Sequence, residues 1–223
     1  MSLVGVSWSR VERARGEYDA DELAALSRSL RERRAEGGEP VVVLHAGALP
    51  DWSIARGGWL DPDVLAGWSC YVDRVAQAVG VHVGFYLTFD GLLAEASWYE
   101  ADAPRVARTL VEAHAAAYLH LRRSSGAGGR HPEVGVMEGG AGAGARPPPV
   151  APLLRVLASG RWHRPFGWLG ELPNGTPCLD FVGARHAAVL PGVLPLGVPV
   201  LLVDVPESVA RAAGVRVAGV ASG

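Results

Sequence analysis

Short valine-rich apolar runs recur along the chain, and between them lie amphipathic stretches of helical length. Runs of this kind suit strands buried in a sheet, and their alternation with helical segments predicts repeated βα units around a parallel sheet. The predicted strands are 3–9 (LVGVSWS), 40–46 (PVVVLHA), 81–89 (VHVGFYLTF), 133–138 (EVGVME), 179–184 (LDFVGA), 199–205 (PVLLVDV) and 214–220 (GVRVAGV). The predicted helices are 21–36, 61–79 with Pro62 in the first turn, 104–123, 149–158 and 206–213. Two glycine-rich stretches, SSGAGG and GGAGAGARPPP, flank the fourth strand and read as loops. The second ends in three prolines and lacks the G-x-G-x-x-G spacing that opens a helix toward a dinucleotide.

Composition narrows the choices. The chain has 223 residues, 49% of them hydrophobic, enough for a sizeable core, and residues 1–223 are expected to form a single domain. A net charge of -2, with acidic and basic residues interspersed, offers no patch for a phosphate backbone or an acidic lipid surface, so neither nucleic acid nor membrane is an expected partner. No lysine occurs anywhere, which excludes a Schiff base and a P-loop, since both need an amine. Cys70 and Cys178 form no C-x-x-C motif, and the histidines show no metal-ligand spacing, so neither metal nor cofactor is expected. The N-terminal stretch lacks the basic and apolar regions of a signal peptide, and a cytoplasmic location is the expectation.

The segment GVSWSRVERARGEYDADEL, followed by GGEPVVVLHAGALPDWSIARGGWLDPDVLAGWSCYVDRVAQAVG, closely resembles the early part of family 1 glycoside hydrolases, the retaining β-glucosidases. The likeness continues through TLVEAHAAAYLHLRR, EVGVM, CLDFVGARH, PVLLVDV and GVRVAGV in the family's order. The resemblance implies an α/β fold, a shortened TIM-like (β/α)8 barrel with reactive side chains at the C-terminal ends of its strands. Because seven strands are recognisable and the match begins at the family's second strand, either the barrel is incomplete or another segment closes it. An open edge of that kind invites pairing with a second copy of the chain.

Retaining hydrolysis requires two carboxylates about 5 Å apart, one protonating the leaving oxygen and one attacking the anomeric carbon. Aligned with the family, the acid of its Asn-Glu-Pro motif falls on Gly91, and the nucleophile falls on Asp204. The sugar-binding His-Trp-Asp run becomes Ala46, Gly47 and Ala48, the asparagine beside the acid becomes Asp90, and an Asn-Tyr pair becomes Arg185-His186. Arg10 is retained. Strand ends converge on one mouth, so Arg10, His45, Asp90, Glu138, Arg185, His186 and Asp204 are the candidate set there.

Asp90 and Asp204 are the candidate catalytic pair, and the other five are candidates for substrate binding. Were the two aspartates to lie within a few Å, repulsion would raise one pKa and supply a general acid. Each residue also has a structural alternative. Either aspartate suits a helix cap, and His45 a satisfied place in the core. Arg10 is expected to pair with a carboxylate in the barrel floor, and Glu138 to be solvated beside its glycine-rich loop. Of the seven tryptophans, Trp98 and Trp168 are the candidates for ligand contact.

Three functions remain open at this level. The first is acid-base catalysis on a small molecule, by cyclisation, dehydration, isomerisation or acetal cleavage. The second is an atypical retaining β-glycosidase with Asp204 as nucleophile, and the third an inactive binding or partner protein.

Overall fold

The computed structural model describes residues 1–124, 126–139, 150–161, 177–185, 189–203, 208 and 217–221. The strands, in chain order, are β1 (Ser2–Gly5), β2 (Glu12–Ala14), β3 (Glu17–Tyr18), β4 (Pro40–His45), β5 (Phe85–Asp90), β6 (Glu133–Glu138), β7 (Phe181–Ala184), β8 (Val200–Val203) and β9 (Val217–Ala221). The helices are α1 (Trp8–Val11), α2 (Ala20–Ala35), α3 (Asp51–Ile54), α4 (Val64–Val79), α5 (Leu92–Ser97), α6 (Ala103–Arg123), α7 (Val150–Ser159) and α8 (Leu190–Val193). Seven strands form one parallel sheet in the order β1-β4-β5-β6-β7-β8-β9, and β2 and β3 make a separate antiparallel hairpin. The expected helix 206–213 lies outside the described residues apart from Ser208, as do Asp204, His186 and Trp168.

Alternation along the strands divides the core in two. Val41, Val43, Leu87, Met137, Phe181, Leu201 and Val203 form the cluster inside the curve of the sheet, each 2% exposed or less. Val42, Leu44, Tyr86, Val134, Val136, Val182 and Leu202 point the other way, into the layer shared with the helices. A sheet whose inner face is this dry must curl on itself, and Leu3 of β1 packs against the inner cluster. Among the described residues, β1 pairs only with β4 and β9 only with β8, so the curl stops short of a closed hydrogen-bonded ring.

Local chemistry explains the helices that hold this sheet. The Asp19 carboxylate accepts the backbone N–H groups of Asp21 and Glu22 at 3.0 Å each, and Asp21 and Glu22 occupy the positive first turn of α2. On α4, Val64, Trp68, Tyr71, Val72, Val75 and Val79 recur at three- and four-residue steps and are fully buried. The Trp68 indole donates to Ala113 O at 2.9 Å and the Tyr71 hydroxyl to Leu44 O at 2.7 Å, tying α4 to α6 and β4. The first strand ends earlier than its apolar run suggested. At Ser7 the chain turns into α1, carrying the fully buried Trp8 into an aromatic cluster, where it stacks on Tyr71 at 5.2 Å.

Candidate active site

Two groups of polar side chains gather at the C-terminal ends of β4 to β7, the end where the candidates were expected to converge. The first is built across β6. Between β5 and β6 the register slips, with Leu87 opposite Gly135 but Asp90 opposite Met137, so β5 holds one extra residue. The bulge sends Phe89 outward to stack on Trp68 at 5.2 Å and leaves Asp90 in register with the inward-facing Met137. From the end of β7, Arg185 reaches over β6 and grips the Asp90 carboxylate with both arms of its guanidinium: Nε donates to Oδ1 at 3.1 Å and Nη2 to Oδ2 at 2.8 Å. The backbone locks both ends, because Gly91 N–H donates to Met137 O at 2.9 Å and Arg185 N–H to Glu138 O at 3.1 Å. The side chains of this pair are 33% and 31% exposed. Partly wet ion pairs contribute only about 0–1 kcal/mol, so this one is held closed weakly.

Glu138 ends β6, the strand between the two partners. It is 1% exposed, and its Oε1 has no hydrogen-bond partner. Burial, assisted by the charge of Asp90, pushes its pKa up to about 8, so it is mostly protonated at neutral pH. The expectation of a solvated side chain is therefore overturned: the glycine-rich stretch begins just after Glu138 and does not lift it into water.

The second group surrounds His45 at the end of β4. Its ring is 3% exposed and meets Trp59, Trp68 and Phe89 edge-on at 5.8, 6.3 and 5.9 Å between ring centres. Neither ring nitrogen has a properly formed hydrogen bond; Nε2 makes only a long 3.5 Å contact with Glu95 Oε1. That same oxygen accepts the Trp59 indole N–H at 2.9 Å. Burial pushes the Glu95 carboxyl upward, but the His45 and Trp59 contacts outweigh it and hold the pKa below the usual range. His45 is thus buried in the core but unsatisfied, whereas its structural alternative was a satisfied core histidine.

Glu95 was not among the sequence candidates. It sits on a six-residue helix with Gly91 at its N-cap position, one turn beyond the place of the expected acid, and that offset was the available signal.

Arg10 does not join either group. Its Nη2 lies 2.5 Å from Glu22 Oε1 on α2, and the arginine side chain is 69% exposed, so the expected partner in the barrel floor is replaced by one on a surface helix. It borders a groove of about 600 Å³ formed with Gly5, Ser7, Glu22, Ser29 and Ala46. Trp98, by contrast, is 81% exposed just after α5. Among the described residues no group of three or more His, Cys, Asp or Glu is arranged to hold a metal ion, and no helix is long and apolar enough to cross a membrane.

Solved structures place this arrangement in context. The chain superposes on a β-glycosidase from Pyrococcus horikoshii with a TM-score of 0.73 at 18% identity, over 90% of this chain and 60% of that one. A family 1 β-glucosidase from Thermotoga maritima, in complex with isofagomine lactam, gives 0.65 at 18% identity, over 82% and 49%. The fold is that of family 1 glycoside hydrolases. The apo structure of β-glucosidase 1317 agrees, with a TM-score of 0.68 at 20% identity over 99% of this chain and 72% of that one. The chain thus spans between about half and seven-tenths of the length of these family 1 folds. No protein-family model and no curated protein matches it.

Proposed function

We propose that this chain is a family 1-like barrel turned to acid-base catalysis on a small molecule, with Asp90 as the group that meets the ligand. The observation that carries the reading is the buried Glu138 carboxyl, its Oε1 unpartnered, on the strand between the exposed Asp90 and Arg185 at the C-terminal strand ends. Asp90 is the proposed base for catalysis at neutral pH. Glu138, sealed from water, keeps its proton there and so spares Asp90 a second negative charge. Glu138 is on this view a positioning residue. Asp204, expected at the end of the strand containing β8, is the proposed second carboxylate. Such a set suits isomerisation, dehydration, cyclisation or acetal cleavage, each of which moves a proton between carbon or oxygen and a carboxylate.

The test is untargeted mass spectrometry of a small-molecule extract incubated with the wild type and with two variants. A compound consumed by the wild type should be left by Asp90→Asn, with a loss of at least about 10²-fold. Its turnover should decline above about pH 8 in the wild type as Glu138 ionises, and keep its rate there in Glu138→Gln. Equal turnover by Asp90→Asn removes the proposal.

A second reading is favoured by the fold likeness and by Glu95, one turn beyond Gly91: an atypical retaining β-glycosidase with Asp204 as nucleophile. A 2,4-dinitrophenyl β-glucoside needs no acid for departure of its leaving group. Release of dinitrophenol by the wild type and none by Asp204→Ala supports this reading, and silence from both folded proteins ends it.

A further inference from the structure

We infer that Arg185 is a receptor for a carboxylate on the substrate, and that Asp90 holds its place until the substrate arrives. This rests on the reading of the mouth as a catalytic site, and it names the class of molecule that enters. A guanidinium fork is shaped for a planar carboxylate, and in this chain it presents Nε and Nη2 to one at 3.1 and 2.8 Å. The occupant is a side chain from the second strand over, held at a surface position rather than in the core. A pair sealed in the interior could not exchange partners without stranding a charge, whereas this pair stands about one-third exposed on both sides.

The frame around the fork is fixed while the bond itself is not. Gly91 and Arg185 are pinned through their backbone to consecutive carbonyls of β6, so only side-chain torsions separate the closed pair from an open one. Beside the arginine arm lies Gly139, where an added Cβ would fall 3.9 Å from Arg185 Cδ, an ordinary contact distance. An incoming carboxylate replaces like with like at Arg185. The exchange frees Asp90 as an unpaired carboxylate beside the bound molecule, with Glu138 still behind it. The base is thereby unmasked only when a carboxylate-bearing ligand is present.

Benzoate is the probe, titrated into the full ¹⁵N- and ¹³C-labelled chain while the Arg185 Nε–H resonance is followed. The wild type should show a saturable shift. Asp90→Asn should bind about two- to sixfold more tightly, because a competing pair worth about 0–1 kcal/mol is gone. Arg185→Met, followed through the Gly91 and Glu138 backbone amides, should show no saturable binding, and neutral benzamide none with any variant. The inference is overturned if folded Asp90→Asn gives no saturable shift, if it binds benzoate no more tightly than the wild type does, or if benzamide competes equally. The Glu138 side-chain carboxyl carbon, read in the same samples, separates this inference from the function it rests on. Titration near pH 8 without benzoate binding leaves the acid-base reading standing for another class of substrate. Benzoate binding with an ordinary glutamate titration leaves Arg185 a receptor and removes the catalytic reading.

Discussion

Gly91 holds φ at 92°, a left-handed backbone that side chains rarely adopt, and its N–H is committed to Met137 O. The place where the family likeness puts an acid therefore has a backbone conformation that a glutamate would be strained to adopt. Gly91→Glu should cost about 1–2 kcal/mol of stability and restore no hydrolysis of an aryl glucoside, as read by denaturant midpoint and by release of the aryl group. Glu138 gives a second prediction, with its own sign. Its folded pKa, about 8, lies above the ordinary glutamate value of 4.5, so across that interval the folded state holds a proton that the unfolded state has lost. Stability falls as pH rises from about 4.5 to 8, by on the order of 4 kcal/mol, and Glu138→Gln should flatten that slope in urea titrations. Neither effect was legible beforehand. A glycine in a motif does not disclose its φ, and Asp90 and Arg185 are 95 positions apart, beyond the reach of any local pattern.

At the scale of elements, the strands were legible because burial on both faces of a parallel sheet demands continuous apolar runs, and β4, buried at every position, is the plainest instance. Ends were less so. The run at 81–89 begins with a short turn before β5, because Val83 N–H bonds back to Gly80 O. Short α5 escaped notice altogether, having no side-chain cap and too few turns for a period to show, and Glu95 was missed with it. Helix α6 was placed correctly but hides a polar joint. His114 is fully buried, with Nδ1 at 2.7 Å from Thr88 Oγ1 on β5 and Nε2 bonded to Cys178 O, and burial lowers its pKa to about 4. Here the unfolded state binds the extra proton, between pH 6.5 and 4, so stability falls as pH drops through that interval, by about 3 kcal/mol. Urea midpoints across this range should show the loss in the wild type and not in His114→Gln.

For the whole molecule, the decisive property is the dry inner face. Leu87, Met137 and Val203 are wholly buried inside the curve although the described strands close no ring, so apolar packing substitutes for the missing ladder. Leu87→Ala should cost about 2–5 kcal/mol, read from denaturant midpoints, because the surrounding strands can collapse only partly into the space. With the inner face filled by the described side chains, the strand ends, where Asp90 and Arg185 are exposed, are open to a ligand. The seven strands also follow one another in space in the order in which they occur in the chain. During synthesis at about 5–20 residues per second, β1 through β6 therefore leave the ribosome roughly 4–16 s before β9, with each new strand finding its neighbour already in place. The sheet can grow from its first edge toward its last, and the clamp arm on Arg185 arrives after the aspartate it will hold.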